Sequence, residues 1–260
     1  MVMPFTRATD GVELSYQVTG TGHTNVLFMH GWAGSGAYFD GTIAALDTAR
    51  VRAITYNLRG HGNSERTSEG YNLDQLADDA IAVADAADAD EFVLVGFSMS
   101  GKFAQYVTNL NSTRVRGQIL VAGSPVEEIP LPADLMADWY GRAGNAAGMI
   151  EISQTFSTQP VPEEVLRRFG ADAAAVPLSA LQGTMHAVTS TSFVIKAITV
   201  RTTVVAGAHD AMFTPAVLRD AVAGKYGQAQ FEILDCGHEI PIERPRELAR
   251  IIQQFVEHLP

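Results

Sequence analysis

Alternating apolar and polar positions open the chain. Val12, Leu14, Tyr16 and Val18 follow the turn pair Asp10-Gly11, which predicts a β-hairpin with one half-buried face. The pattern then changes to short continuous apolar runs at Val26 to Met29, Val51 to Tyr56, Phe92 to Val95, Ile119 to Val121 and Thr203 to Val205. Such runs are what strands of a parallel sheet look like, because helices cover both of its faces. Between the runs the apolar residues space helically: Leu73, Leu76, Ala80, Ile81 and Ala84, then Phe103, Tyr106, Val107 and Leu110, then Val217, Leu218 and Val222. Strand and helix in alternation predict right-handed crossovers and an α/β fold, with a mostly parallel twisted sheet between two helical layers. Ligands of such sheets bind beyond the carboxyl ends of the strands, so candidate site residues should stand just after strands.

From Ser124 to Ala197 the alternation stops, and Pro, Met, aromatic and helix-like pieces run on without a convincing strand. This stretch, 124–197, is expected to be a helical cap inserted after the sixth strand. The core would then comprise 1–123 and 198–260, all within a single overall domain. Met136, Trp139, Tyr140, Met149, Phe156, Phe169, Met185 and Phe193 supply the apolar bulk of the insertion, either as plain helix packing or as the lining of a pocket. Met136 and Trp139, with Met212 beyond it, are the pocket candidates. A last helix starts at Pro245 and carries one apolar face through Leu248, Ile251, Ile252 and Phe255.

The chain has 260 residues, 47% of them hydrophobic and 18% charged, enough to bury a core and too apolar for disorder. A formal net charge of −11 without a Lys/Arg cluster repels phosphate backbones and anionic membrane surfaces, so nucleic acid is not an expected partner. No apolar run reaches the roughly 20 residues of a membrane span. The single cysteine, Cys236, excludes an internal disulfide, and the first residues lack the basic, apolar and small-residue order of a secretory signal. A cytoplasmic location is the expectation.

The strongest local signal is Gly96-Phe97-Ser98-Met99-Ser100-Gly101, which directly follows one apolar run and opens a helical one. A nucleophile on a sharp strand-to-helix turn needs small residues two positions to either side, and it gains from the helix N-terminus beneath it. Gly96 and Ser100 meet that need; an ordinary turn with a capping serine is the plainer alternative. A serine hydroxyl is a weak nucleophile without a base, and the base needs a third group to hold its tautomer. His238 is the best-placed base, in the loop Asp235-Cys236-Gly237-His238 between the strand-like Phe231 to Leu234 and the last helix. His30 ends an earlier run, His61 lies in the loop after Tyr56, His186 falls in the insertion, and His23 and His258 sit at turns or ends. Asp210, after Val204 to His209, is the candidate acid, with His209 expected to point away from it. Glu127 and Glu128 occupy the alternative place after the preceding strand.

An attacked carbonyl develops negative charge on oxygen, and two backbone N–H groups, of Met99 and of Trp32, are expected to receive it. His30 and Gly31 fit a tight turn better than chemistry. Cys236 has no base of its own and fits a small packing residue. The histidines and carboxylates show no metal-ligand spacing, and the glycine-rich turns lack a phosphate-loop lysine, so neither metal nor cofactor is expected.

His30-Gly31-Trp32, the loop Arg59-Gly60-His61-Gly62-Asn63-Ser64, the turn around Ser98, Gly207 to Asp210, and Gly237-His238 with Glu243-Arg244-Pro245 together resemble the α/β-hydrolase superfamily over nearly the whole chain. That resemblance implies the fold and the chain order Ser98, Asp210, His238 for nucleophile, acid and base. Ser100 replaces the usual second glycine of the turn, and Asn57 stands where many relatives carry aspartate. Relatives that act as haloalkane dehalogenases or epoxide hydrolases carry an aspartate nucleophile, so Ser98 implies an esterase, lactonase, thioesterase, carbon-carbon hydrolase or perhydrolase. Cleavage of a small carboxylic ester or lactone through an acyl-enzyme is the expected reaction. One fold hosts many functions, and signal receptors with an intact triad and cofactor-free oxygenases are the rival readings.

Overall fold

The computed structural model describes residues 3–197 and 199–259. Met1, Val2, Ile198 and Pro260, which stand at edges of the expected core segments, lie outside the described residues.

Among the described residues eight strands form one sheet: β1 (Phe5–Arg7), β2 (Glu13–Thr19), β3 (Thr24–Met29), β4 (Val51–Tyr56), β5 (Phe92–Phe97), β6 (Val115–Val121), β7 (Thr202–Gly207) and β8 (Gln230–Leu234). Their spatial order is β1-β2-β4-β3-β5-β6-β7-β8. The hairpin expected around Asp10-Gly11 is present, with Phe5 opposite Ser15 and Arg7 opposite Glu13. The β2–β4 pair is also antiparallel, and every pair from β4 through β3 to β8 is parallel.

The helices are α1 (Asp40–Ala44), α2 (Leu73–Ala86), α3 (Met99–Leu110), α4 (Ala133–Gly141), α5 (Ala146–Phe156), α6 (Glu163–Ala174), α7 (Leu178–Thr189), α8 (Pro215–Val217), α9 (Ile240–Glu243) and α10 (Pro245–Glu257). Each central strand feeds two cores because successive side chains point to opposite faces. Val26 and Phe28 of β3 join Ile43 of α1 and Leu248, Ile252 and Phe255 of α10. Leu27 and Met29 join Leu76, Ala80 and Val83 of α2 and Phe103 and Val107 of α3 on the other side. Each buried Leu, Ile or Phe contributes about 1.5–3 kcal/mol relative to exposure, so the two layers hold the sheet rigid under any loop at its edge.

Four helices, α4 to α7, occupy the stretch between β6 and β7. Their Trp139, Met149, Ile152, Phe169, Leu181 and Met185 are continuous with the core cluster that holds Val95 and Phe97 of β5. The helical segment predicted around Val217 to Val222 is irregular: α8 is one turn capped by the Thr214 hydroxyl, followed by a π-turn over Leu218–Val222. Leu218 and Val222 are still fully buried. A segment this short takes its shape from packing rather than from helix propensity, and here Arg219 also lies 4.1 Å over the Phe231 ring.

Candidate active site

Parallel pairing brings the carboxyl ends of β3, β5, β6, β7 and β8 side by side, with Met29 against Gly96, Phe97 against Val121, and Gly207 against Leu234. Ser98 follows β5 at φ 53° and ψ −119°, a conformation that costs a non-glycine residue about 1–3 kcal/mol. Its surroundings over-determine it. The Ser98 N–H donates to the Val121 carbonyl at 2.9 Å, and its carbonyl accepts from Gly101 at 2.8 Å and Ser124 at 2.9 Å. A Cβ at Gly96 would stand 2.4 Å from the Ser100 carbonyl oxygen, and one at Gly101 would stand 2.3 Å from the Gly123 Cα. Ser100 fits where a glycine is usual because its buried hydroxyl donates to the His30 carbonyl.

The structure brings the three distant residues together. His238 Nδ1 lies 2.8 Å from Asp210 Oδ2, and His238 Nε2 lies 2.8 Å from Ser98 Oγ. Ser98, Asp210 and His238 are 9%, 2% and 3% exposed. The other carboxylate oxygen of Asp210 accepts from the Met212 and Phe213 N–H groups at 2.8 and 2.9 Å, so the acid is aimed by its own loop. A Cβ at Gly207 would lie 1.9 Å from the Gly237 carbonyl oxygen, which is why the acid and histidine loops can pack this closely. Burial opposes a charge on His238, but the Asp210 hydrogen bond and charge, with Glu239 and Glu243 nearby, outweigh it and raise its pKa above the ordinary histidine value.

Three other histidines, His30, His61 and His209, are engaged elsewhere. Burial and the neighbouring His61 push His30 down to about 3, and its Nε2 accepts from the Leu58 N–H at 3.1 Å. His61 is likewise pushed down to about 4 by burial and faces the Arg59 carbonyl at 2.9 Å. His209 turns to Asp235 at 2.9 Å. Glu127 pairs with Lys225 at the surface, away from His238. Asn57 keeps two structural bonds, accepting from the Gly36 N–H at 2.8 Å and donating to Ser15 Oγ at 2.7 Å. Burial and Glu243 push the Cys236 thiol up to about 12, so it is inert.

The loop after β3 packs directly on the serine: a Cβ at Gly31 would stand 3.3 Å from Ser98 Cβ. Trp32 follows, and Met99 heads α3, where the first amides of a helix lack an intrahelical acceptor. The Trp32 ring packs 5.5 Å from Trp139, and its Nε1 donates to the Leu181 carbonyl at 3.0 Å, tying this loop to the inserted helices.

A cavity of about 110 Å³ opens over Ser98 and His238. Trp139 and Met212 line it, as do Met149, Phe156, Phe169 and Met185. Met136 does not: it is half-buried at the edge of the core cluster, outside the lining. Tyr140 packs toward Trp32, and Phe193 packs edge-on to Tyr106 at 5.0 Å. Hydrophobicity in an insertion marks bulk but not direction, which is why the sequence could not separate these roles.

Five polar residues of the cavity escaped sequence reasoning as site residues: Tyr38, Ser124, Ser153, Thr189 and Glu239. Glu243, quoted only as part of a motif, is a further organiser. Its carboxylate accepts from the Gly237 and Glu239 N–H groups at 3.1 Å each and from those of Thr158 and Gln159 at 2.8 Å each. It thus clamps both sides of His238 to the inserted helices. Among the described residues no group of three or more His, Cys, Asp or Glu is arranged to hold a metal ion.

A strand-borne serine on a strained turn, met by a histidine and an aspartate from later loops of one parallel sheet, defines the α/β-hydrolase class of architecture. Residues 26–251 match the alpha/beta hydrolase family, and the chain belongs to it. It is similar to a non-heme chloroperoxidase of Kitasatospora aureofaciens, 35% identical over 124 residues that cover 47% of this chain and 45% of that protein. The match thus spans about half the length of such curated relatives. Among solved structures, the bromoperoxidase from Bacillus anthracis superposes with a TM-score of 0.87 at 21% identity, covering 98% of this chain and 100% of that one. The enol-lactonase from Burkholderia xenovorans superposes with a TM-score of 0.83 at 20% identity, again over 98% and 100%.

Proposed function

We propose that the protein is a serine hydrolase that cleaves small carboxylic esters or lactones through an acyl-enzyme on Ser98. The observation that carries this reading is the unbroken relay from Asp210 through His238 to Ser98 Oγ, both links at 2.8 Å, buried at the floor of one cavity. Because the Asp210 carboxylate only accepts, His238 donates from Nδ1, which leaves the Nε2 lone pair to take the serine proton. Ser98 Oγ then attacks the carbonyl, and the Met99 and Trp32 N–H groups stabilise the oxyanion; losing one such donor typically costs about 2.7–4 kcal/mol of barrier. His238 passes its proton to the leaving alcohol and next activates water to release the acid. No cofactor takes part.

Residues 124–197 act in this reading as a cap on the core, with Trp139 and Met212 in the acyl pocket. The cavity is comparable with voids that admit a benzene-sized guest, so short acyl groups fit without cap movement. Helices of the described residues are too short or too polar to cross a membrane. From the single cysteine we infer a cytoplasmic site of action. The haloperoxidase names among the relatives suggest a variant of the second step: hydrogen peroxide, in place of water, would attack the acyl-Ser98 ester and leave as a peracid. Steady multiple turnover of p-nitrophenyl acetate or butyrate, absent in Ser98→Ala, supports the hydrolase. A ligand-induced thermal shift with negligible turnover would support a receptor instead.

A further inference from the structure

Glu239 follows His238 directly, is 6% exposed and lines the same cavity. Its Oε2 accepts from the Tyr38 hydroxyl at 2.8 Å and its Oε1 from the Ser153 hydroxyl at 3.2 Å. A buried carboxyl group is costly, and two hydroxyl partners fill only about half of its roughly four acceptor positions. Tyr38 is itself fixed, stacked on Phe97 at 5.5 Å with its ring edge-on to Phe169. This polar trio therefore stands preorganised on an otherwise mainly apolar wall beside the reacting serine. A tie between core and α5 would need only a neutral hydrogen-bonding residue, and it would have no reason to face the cavity.

We propose that Glu239, held by Tyr38 and Ser153, is a specificity subsite that receives a hydroxyl on the acyl group of the substrate, so the preferred substrates are short hydroxy-acyl esters or their lactones. This inference rests on the triad reading above. A hydroxyl both donates and accepts, so it satisfies Glu239 in either protonation state. Burial and Glu243 push the Glu239 carboxyl above the usual carboxylate range, although His238, Tyr38 and Ser153 pull the other way. An ammonium group suits the site less well, because His238 becomes a cation next to it during each proton transfer. Glu239 and Ser98 line the same cavity, so a hydroxyl on a short acyl group bound at Ser98 lies in the same chamber as the Glu239 carboxyl.

The test compares p-nitrophenyl butyrate with both enantiomers of p-nitrophenyl 3-hydroxybutyrate, in wild type, Glu239→Leu, Glu239→Gln and Tyr38→Phe. The expected wild-type kcat/KM favours one hydroxy ester by about tenfold, the worth of one good hydrogen bond. Glu239→Leu should reverse the preference, and Glu239→Gln and Tyr38→Phe should reduce it. Should the leucine variant not fold by thermal melt, the latter two decide. Binding is read separately in a Ser98→Ala background, from the fluorescence of Trp32 and Trp139 on titration with ethyl butyrate and ethyl 3-hydroxybutyrate. The same preference in Kd is expected there, lost when Glu239→Leu or Glu239→Gln is added. Equal or poorer handling of the hydroxy esters in both assays, or a preference untouched by the Glu239 variants, overturns the subsite. Absence of any wild-type turnover, with the binding preference intact, would fell the hydrolase reading and leave the subsite standing.

Discussion

Ser98 holds its strained backbone only because Val121, Gly101 and Ser124 grip both of its peptide groups. Elsewhere a Gly-to-Ala change usually stabilises a chain by restricting the unfolded state, but at φ 53° the order should invert. Ser98→Gly is expected to be more stable than Ser98→Ala by about 1 kcal/mol, read as a higher melting midpoint, with both variants inactive; the reverse order would mean the turn is unstrained. His238 titrates above the ordinary value of about 6.5. Its pairing with Asp210 therefore adds stability that is complete below that value and fades as pH rises through the higher folded pKa. In the proposed mechanism catalysis runs the other way, because only neutral His238 would accept the serine proton. The acid limb of the kcat/KM profile should have its midpoint above about 6.5. Asp210→Asn should move that midpoint down and lower kcat by about 10³–10⁴; an unmoved midpoint would assign the limb to another group.

At the scale of elements, α3 joins the turn at Ser98 to helices α4 to α7 through Lys102, four residues after Ser98 and fully buried. Its ammonium donates to the carbonyls of Glu127 at 2.9 Å, Val188 at 2.6 Å and Thr191 at 2.6 Å, so one side chain pins both roots of the insertion. Burial pulls the lysine down to about 8, with Glu127 and Glu128 pulling upward, and the charged form still prevails at pH 7. Lys102→Met strands three carbonyls and should cost about 2–4 kcal/mol. The expected signs are a lower melting midpoint and faster proteolysis near residues 124–132 and 189–197; an unchanged midpoint would show that the roots are held otherwise. None of this could be read from spacing, since a lysine in a helix ordinarily marks a solvated face. The elements around it were legible: continuous apolar runs gave the parallel strands, and Gly96 and Ser100, with Gly101 beside it, gave the turn, where a Cβ at either glycine would meet backbone. What periodicity missed depends on direction, as when Met136 turns from the cavity or Glu239 turns into it.

Across the whole molecule, Ser98 stands more than a hundred residues before Asp210 and His238, which are 28 residues apart, and all three were legible as candidates only because each follows a strand. Their convergence is a property of parallel pairing, which stacks strand ends that are remote in the chain. Beside them, Tyr38 from the loop after β3 and Ser153 of α5 meet on Glu239, a partnership no local motif records. The net charge of −11 also acts at this scale, repelling anionic substrates over about a Debye length. Raising ionic strength should increase kcat/KM severalfold for a succinate monoester and leave a neutral butyrate ester nearly unchanged; equal salt responses would discount the global field. The most direct measurement of the central claim is labelling with a fluorophosphonate, followed by peptide mass mapping of wild type, Ser98→Ala and His238→Ala. One adduct on the peptide that holds Ser98, lost in the first variant and greatly slowed in the second, is the predicted result. An adduct on another peptide, or equal labelling of all three proteins, would contradict it.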